Sequence, residues 1–337
     1  MNRETSEKEN LSIRDVAAEA QVSIATVSRV LNGSGYVSEK TQEKVRDAIE
    51  RMGFVPNVAA RGMRMNRMPI IGFIVDNIKN EYFSDLATNL QRFFLEQGYF
   101  VIICATESSP KLEQLSVDML VGQKASGIVM IARDRVSARI PDSMPLVCID
   151  CEADLSRKLT AIVESDNRDG GYQATKKLID CGCRKIALFT GPEEAYTSRK
   201  RSEGYFAALM DAGIPIDLRR VFHFEGFDYS NGQNLVERLL ESGIECDGIF
   251  AICDYVVQGS LDALRERGID VPGQIRVVGF DDLFMAQCNG KKLTTVHQCS
   301  EQVARTAADI LLEMAAGREP AQKKVMIPTY LIARETT

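Results

Sequence analysis

Residues 12–32, SIRDVAAEAQVSIATVSRVLN, constrain the fold more than any other stretch of this 337-residue chain. Ser12 is a good N-cap residue, and Asp15 three positions on suits the positive end of a helix. Ile13, Val16, Ala17 and Ala20 recur at helical spacing and make one apolar face. Gln21-Val22-Ser23 interrupts that helix, and Ser23 is placed to cap the next one. On the second helix Val27, Val30 and Leu31 point one way, while Thr26, Ser28, Arg29 and Asn32 point the other. A helix that buries aliphatics and shows hydroxyls, an amide and one guanidinium has the chemistry of a groove-reading helix. Spacing alone would also suit any small helical hairpin. A third helix, EKTQEKVRDAIERMGF capped by Ser38, brings Val45, Ala48, Ile49 and Met52 to complete a three-helix core.

A net charge of −6 sits badly with a nucleic-acid partner until it is divided by region. Residues 11–64 carry +2 and the chain beyond them carries −7. The headpiece is thus the mildly basic part, and the acidic body is kept off DNA except through it. Because +2 is modest, the motif carries the argument. The polar N-terminal MNRETSEKEN has no apolar core, so residues 1–10 read as a disordered tail and not a secretory signal. No run of about 18 apolar residues occurs, so no membrane span is expected.

Between headpiece and body lies PNVAARGMRMNRMP, where Pro56 can start a helix and Ala59, Ala60, Arg61 and Met63 can propagate it. So short a helix is not stable alone in water, and Gly62 weakens it by about 1 kcal/mol relative to alanine. Residues 56–68 therefore read as a hinge that orders when it docks on DNA.

After Pro69 the pattern becomes strands alternating with helices. IIGFIV, FVIICAT, GIVMI and PLVCID are strand-like in a first set; KIALFTG, VFHFE, DGIFAIC and IRVVGFDD follow in a second. Such repeats indicate parallel sheets with helices on both faces, and two sets indicate two lobes with a cleft at the carboxyl ends of their strands. Asp150, Asp254 and Asp281-Asp282 stand at those ends. A helix N-cap is the simpler reading of Asp254 alone.

The string VSIATVSRVLNGSGYVSEKT, followed by GFVPNVAARGMR, resembles the DNA-binding headpiece of the LacI/GalR family of bacterial transcription regulators. ESDNRDGGYQAT, TGP with SRKRSEGYFAAL, CDYVVQGSLDALRERGIDVP, VVGFDD, LTTVHQ and PTYLIAR are similar to its effector domain, so the resemblance covers nearly the whole chain. It implies an all-α helix-turn-helix headpiece over 11–55, a hinge over 56–68, and a two-lobed α/β domain of the periplasmic-binding-protein type over 69–337. Lobe 1 is placed at about 69–165 plus 299–326, and lobe 2 at about 166–298 plus 327–337. The implied protein is a cytoplasmic, ligand-responsive repressor of carbohydrate uptake or catabolism genes, binding a pseudo-palindromic operator as a homodimer. The end at ARETT gives no heptad tail for a tetramer.

The DNA-facing set that the resemblance implies is Ser12, Ile13, Ile24, Ala25, Thr26, Ser28, Arg29, Asn32, Ser38, Thr41, Asn57, Ala60, Met63 and Arg64. Met63 stands where the family levers a leucine into a minor-groove step, and a methionine can play that part. Apolar Ile24 and Ala25 favour contact with thymine methyl groups. The implied effector site comprises Tyr82, Phe83, Asp150, Tyr196, Arg201, Cys253, Asp254 and Asp281, with Arg201 gripping the ligand and Asp281 accepting from its hydroxyls. Two positions depart from the family: Cys253 replaces a usual asparagine, and Ser300 stands where some sugar-binding members place an aromatic ring. With no tryptophan in the chain, stacking falls to Tyr82, Phe83, Tyr196 or Phe280, and a sugar, sugar phosphate or sugar acid all remain open as effector.

Other classes fit less well. IIGFIVDNIKNEYF has no glycine-rich phosphate turn after its strand, and no nucleophile motif occurs, so neither an enzyme nor a cofactor is expected. The nine cysteines sit mostly in apolar runs and read as reduced thiols; Cys181-Gly182-Cys183 lacks a second ligand pair, so no metal site is expected. A solute-binding protein without DNA function is the alternative from another class. A regulator answering to a phosphocarrier protein is the alternative within this one.

Overall fold

The computed structural model describes residues 11–32, 35–54, 67–288 and 291–337, and these form two compact units that meet at Met68 and Pro69. The first unit is helical: α1 (Ile13–Glu19), α2 (Ile24–Asn32) and α3 (Glu39–Met52). Val16, Ala17, Ala20, Val27, Val45, Ala48 and Phe54 form its core, with Ile13, Val30, Leu31 and Ile49 packed around them. So small a core leaves little margin, and the helix ends matter accordingly. The Asp15 carboxylate accepts from the backbone N–H and the hydroxyl of Ser12, both at 2.7 Å. Ser23 Oγ accepts the N–H of Thr26 at 3.0 Å and so caps α2. Gly53, at φ 61°, closes α3 in the left-handed conformation that glycine adopts without strain. Ser38 does start α3, but its side chain accepts no backbone N–H; its hydroxyl instead pairs with that of Thr41 at 2.8 Å.

The second unit has two six-stranded sheets. β1 (Met68–Val75), β2 (Phe100–Ala105), β3 (Ala125–Met130), β4 (Leu146–Ile149), β5 (Thr160–Ser165) and β11 (Lys324–Ile327) form one, in the order β11-β5-β4-β3-β1-β2. The other contains β6 (Ile186–Thr190), β7 (Val221–His223), β8 (Gly248–Ala251), β9 (Arg276–Asp281), β10 (Thr294–Gln298) and β12 (Thr329–Ile332), in the order β12-β10-β9-β8-β6-β7. Helices α4 (Glu81–Glu96), α5 (Pro110–Gly122) and α11 (Ser300–Ala315) pack on the first sheet. Helices α6 (Asn167–Asp180), α7 (Tyr196–Asp211), α8 (Tyr229–Glu241) and α9 (Asp254–Glu266), with the short α10 (Met285–Cys288), belong to the second. The chain passes between the sheets after β5, after β10 and between β11 and β12.

The parallel-sheet expectation needs one amendment, because β12 runs antiparallel to β10 at the edge of the second sheet. Strands β5, β10, β11 and β12 and helix α11 are also absent from the alternation read in sequence. Their physical reason is plain for β5: TAIVES buries Glu164 and Ser165 and so breaks the apolar run that marks an interior strand. Helices α6 and α7 pack backbone to backbone. A Cβ on Gly204 would lie 2.1 Å from the Arg168 carbonyl oxygen, and one on Gly171 would lie 2.2 Å from that of Arg201. This approach fixes where Arg201 emerges from α7. Among the described residues no helix is long and apolar enough to cross a membrane.

Candidate functional site

The headpiece presents α2 with one buried and one open side. Val27 is fully buried, whereas Ile24 is 44% exposed and Ala25 and Arg29 are exposed. Thr26 and Ser28 are half-buried, the Thr26 hydroxyl being 2.9 Å from that of Ser23. Ser12 and Ser38 are exposed, and Ile13 and Thr41 are half-buried at the starts of α1 and α3. Nothing in the apolar core requires Ile24 outside, so an exposed isoleucine at the first turn of α2 is available to an apolar partner. Tyr36, singled out by no motif, is 93% exposed in the segment after α2. Asn57, Ala60, Met63, Arg64 and the side chain of Asn32 lie outside the described residues.

In the second unit a cavity of about 840 Å³ opens between the two sheets, at the carboxyl ends of their strands. Of the sequence-predicted residues, Tyr82, Phe83, Asp150, Arg201, Cys253 and Asp281 line it. Two do not. The Tyr196 hydroxyl turns away to the buried Glu164 carboxylate, which Lys324 also meets at 2.9 Å. Asp254 is fully buried behind β9, accepting the Leu283 N–H at 3.0 Å and the Thr295 hydroxyl at 2.7 Å. Nor is Asp254 the N-cap of α9, a position that Cys253 holds. Asp254 instead ties α9 to the segments around β9 and β10. Phe280, a stacking candidate, lies under Arg201 with its ring centre 3.6 Å from the guanidinium carbon and supports that side chain. Ser300 begins α11 outside the cavity lining.

The floor is built from buried polar groups. Arg201 is 5% exposed; its Nε donates to Asn167 Oδ1 at 2.8 Å, and its Nη1 donates to the Ile252 carbonyl and to Asp281 Oδ1. Gln298 Nε2 donates to the same Asp281 oxygen at 2.7 Å. Asp150 accepts from the Ser165 N–H at 2.8 Å, from Asn167 Nδ2 at 3.0 Å and from the Tyr82 hydroxyl at 3.2 Å. Tyr82 is itself placed by Asn80, which caps α4 by accepting the Tyr82 N–H. Burial pushes the Asp150 and Asp281 carboxyls up to about 6, against partial relief from Arg201 and the hydrogen bonds they accept. Burial and the nearby Asp281 push Asp254 well above the usual carboxylate range. Cys253 is a buried neutral thiol, its ionisation driven upward by desolvation, and so a weak polar group where a stronger one would orient a ligand.

Four lining residues hold left-handed backbone: Glu107 (φ 50°), Ser108 (φ 56°), Asp150 (φ 49°) and Asp281 (φ 113°). Such conformations cost about 1–3 kcal/mol each in non-glycine residues and survive where the surroundings over-determine them. Sequence reading passed over Asn167, Gln298, Tyr255, Phe227 and Tyr229. Gln298 ends strand β10 as Asp281 ends β9, so the strand-end rule could have found it. The three aromatics sit in connecting segments or at helix starts and carry no such signal.

Contacts between the two halves flank the cavity. The Tyr196 N–H donates to the Arg133 carbonyl at 2.9 Å, and Arg199 pairs with Asp134 at 2.8 Å. On the other flank the Phe284 N–H donates to Glu81 Oε1 at 2.6 Å, and Tyr255 reaches the Lys79 carbonyl at 3.5 Å. All of these are polar contacts that two sheets moving apart would exchange for water, so the fold is suited to opening and closing on a ligand.

Comparison with known proteins bears on both units. Residues 12–57 match the family model described as bacterial regulatory proteins, lacI family. Residues 68–335 match that of periplasmic binding proteins and the sugar-binding domain of the LacI family. The HTH-type transcriptional repressor PurR of Haemophilus influenzae (strain PittEE) is 30% identical over 334 residues, covering 96% of this chain and 98% of the relative. The HTH-type transcriptional regulator DegA of Bacillus subtilis (strain 168) is also 30% identical, over 97% of this chain and 98% of the relative. Among solved structures, the transcriptional regulator CelR–cellobiose complex aligns with a TM-score of 0.73 at 28% identity, over 97% of this chain and all of that one.

Proposed function

The chain belongs to the LacI family of bacterial regulatory proteins, a DNA-binding transcription regulator with a ligand-binding body, and from that premise we propose how each unit acts. Helix α2 lies in the major groove. Ile24 and Ala25 meet thymine methyl groups, and Thr26, Ser28 and Arg29 contact base edges and phosphates, with Ser12, Ile13, Ser38 and Thr41 at the flanking backbone. A homodimer sets two such helices on a pseudo-palindromic operator and represses carbohydrate genes. The effector is a small, polar, carbohydrate-derived molecule held between the lobes.

One observation carries the effector reading: Asp150, Arg201, Asp281 and Gln298, from positions 150 to 298, meet on the floor of one cavity of about 840 Å³. Buried carboxylates, a guanidinium and an amide converging in a ligand-sized cavity bring hydroxyl-binding groups together, and among them Gln298 Oε1 has no partner among the described residues. The relative solved with cellobiose supports the same class. A thermal-shift screen of sugars on the purified protein, followed by operator gel shift with each hit, tests the proposal. A hit that raises the unfolding temperature and changes operator affinity supports it. Tight sugar binding with no DNA binding at all would instead favour a solute-binding protein.

A further inference from the structure

The geometry points to an effector that carries a positively charged nitrogen beside its hydroxyls, an amino sugar or a comparable cationic polyol, and to a cleft that rejects phosphorylated and carboxylated sugars. This rests on the effector-binding reading above and narrows it.

The floor holds two carboxylates, Asp150 and Asp281, for one guanidinium, Arg201, all three at most 7% exposed. A third buried carboxyl, Asp254, stands directly behind Asp281. Arg201 has little left to offer an anion. Its Nε and Nη1 are engaged with Asn167, Ile252 and Asp281, and one face of its plane covers Phe280, which leaves only Nη2 for a ligand. An incoming phosphate would meet two carboxylates for the one cation on this floor.

The rim repeats this imbalance. Among the described lining residues, Asp76, Glu107, Glu225 and Asp228 face Lys79 and Arg133. A cleft lined by an excess of one sign concentrates ligands of the other and disfavours its own.

A second observation is independent of charge. Gln298 is 2% exposed and lines the cavity; its Nε2 is spent on Asp281, and its Oε1 has no hydrogen-bond partner among the described residues. A buried acceptor without a donor is costly until a ligand supplies one. The floor thus holds one unsatisfied acceptor beside its surplus carboxylate, and the complementary ligand supplies donors. An ammonium brings three donors and no acceptor, and its charge offsets the surplus carboxylate that a neutral hydroxyl leaves uncompensated. Phe83, Phe227 and Tyr255 in the walls add faces on which a sugar ring or a cation rests.

The test uses the full-length protein at pH 7 and matched trios on one ring: the 2-amino hexose, the parent hexose and its 6-phosphate, in the gluco, galacto and manno series. Binding is read by calorimetry and each binder is carried to operator gel shift. The expected result is one amine-bearing compound that binds at least tenfold tighter than both of its counterparts. Asp281→Asn brings that ratio towards one. Glu225→Gln at the exposed rim, which leaves the core untouched, lowers it several-fold, so the result does not hang on the folding of the buried variant. A parent hexose or hexose phosphate that binds as tightly as the amine and shifts operator affinity overturns the charge inference and leaves the regulatory reading intact. An amine that binds preferentially but leaves operator affinity unchanged supports the charge inference and contradicts the regulatory reading. No binding by any of the nine compounds overturns the charge inference, and operator gel shift of the protein without ligand then decides the regulatory reading by itself.

Discussion

Under the proposed function the exposed side of α2 and the floor of the cleft are both recognition surfaces, yet they are made in opposite ways. Helix α2 is a local object: Ser23 caps it, Val27 anchors it, and Ile24, Ala25 and Arg29 face outward within two turns. The cleft floor is assembled from residues between Tyr82 and Gln298, drawn together by two sheets and three passages of the chain. The first surface costs the fold almost nothing, since its polar groups stay in water. The second buries charge and holds strained backbone at Asp150 and Asp281. On the proposed reading, the DNA-facing side is kept simple and the buried charge and strained backbone lie where the effector binds.

The largest effect that would separate the two regions comes from Arg201→Met. It leaves Asp281 buried without its cation, a loss on the order of 3–5 kcal/mol. The body should unfold at lower denaturant while the headpiece retains its helical signal; equal loss in both would break the distinction drawn here.

Next is pH, where the regions carry opposite signs. Asp150 and Asp281 titrate near 6 in the folded body against 3.8 for an ordinary aspartate. Between those values the folded body holds more protons than the unfolded chain, so its stability falls as pH rises through about 4 to 6, by up to about 3 kcal/mol per group. Asp15 is shifted the other way, held low by its hydrogen bonds from Ser12, so its contribution to the headpiece is present above the ordinary aspartate range and is lost as pH falls below it. Denaturant titrations at four pH values between 4.5 and 7.5, with Asp281→Asn as control, should show the body's slope flatten in the variant. An unchanged slope would show that Asp281 is not the titrating group.

Arg29→Ala should cost about 1–3 kcal/mol in operator binding, much less on non-specific DNA, and leave the unfolding midpoint almost unchanged. Equal loss on both DNAs would remove Arg29 from base reading. The smallest effect is that of Ser23→Ala, about 1 kcal/mol of headpiece stability from a lost cap, with no change in the body's unfolding.

The same contrast explains what could be read from the chain. The three helices of the headpiece follow from caps and apolar spacing within a few residues, and Ser12, Ser23 and Val27 do locally what their positions imply. Ser38 is the local exception, its hydroxyl pairing with that of Thr41 and not with a backbone N–H. In the body the strand-end rule brought Asp150 and Asp281 to the cleft. That rule misplaced Asp254, and the family resemblance misplaced Tyr196, because neither the register of β9 against β10 nor the position of Glu164 on β5 is visible in a local window. Asn167 and Gln298 escaped because their roles exist only through Arg201, Asp150 and Asp281, far away in sequence.

The central claim is that ligand held by the cleft floor governs DNA binding by α2, and operator titration of the full-length protein with and without a saturating cleft ligand tests it most directly. The account predicts a change in operator affinity of at least fivefold with ligand, and a smaller change at the same ligand concentration in Glu225→Gln at the exposed rim. Operator affinity that is the same with the cleft filled and empty would contradict it.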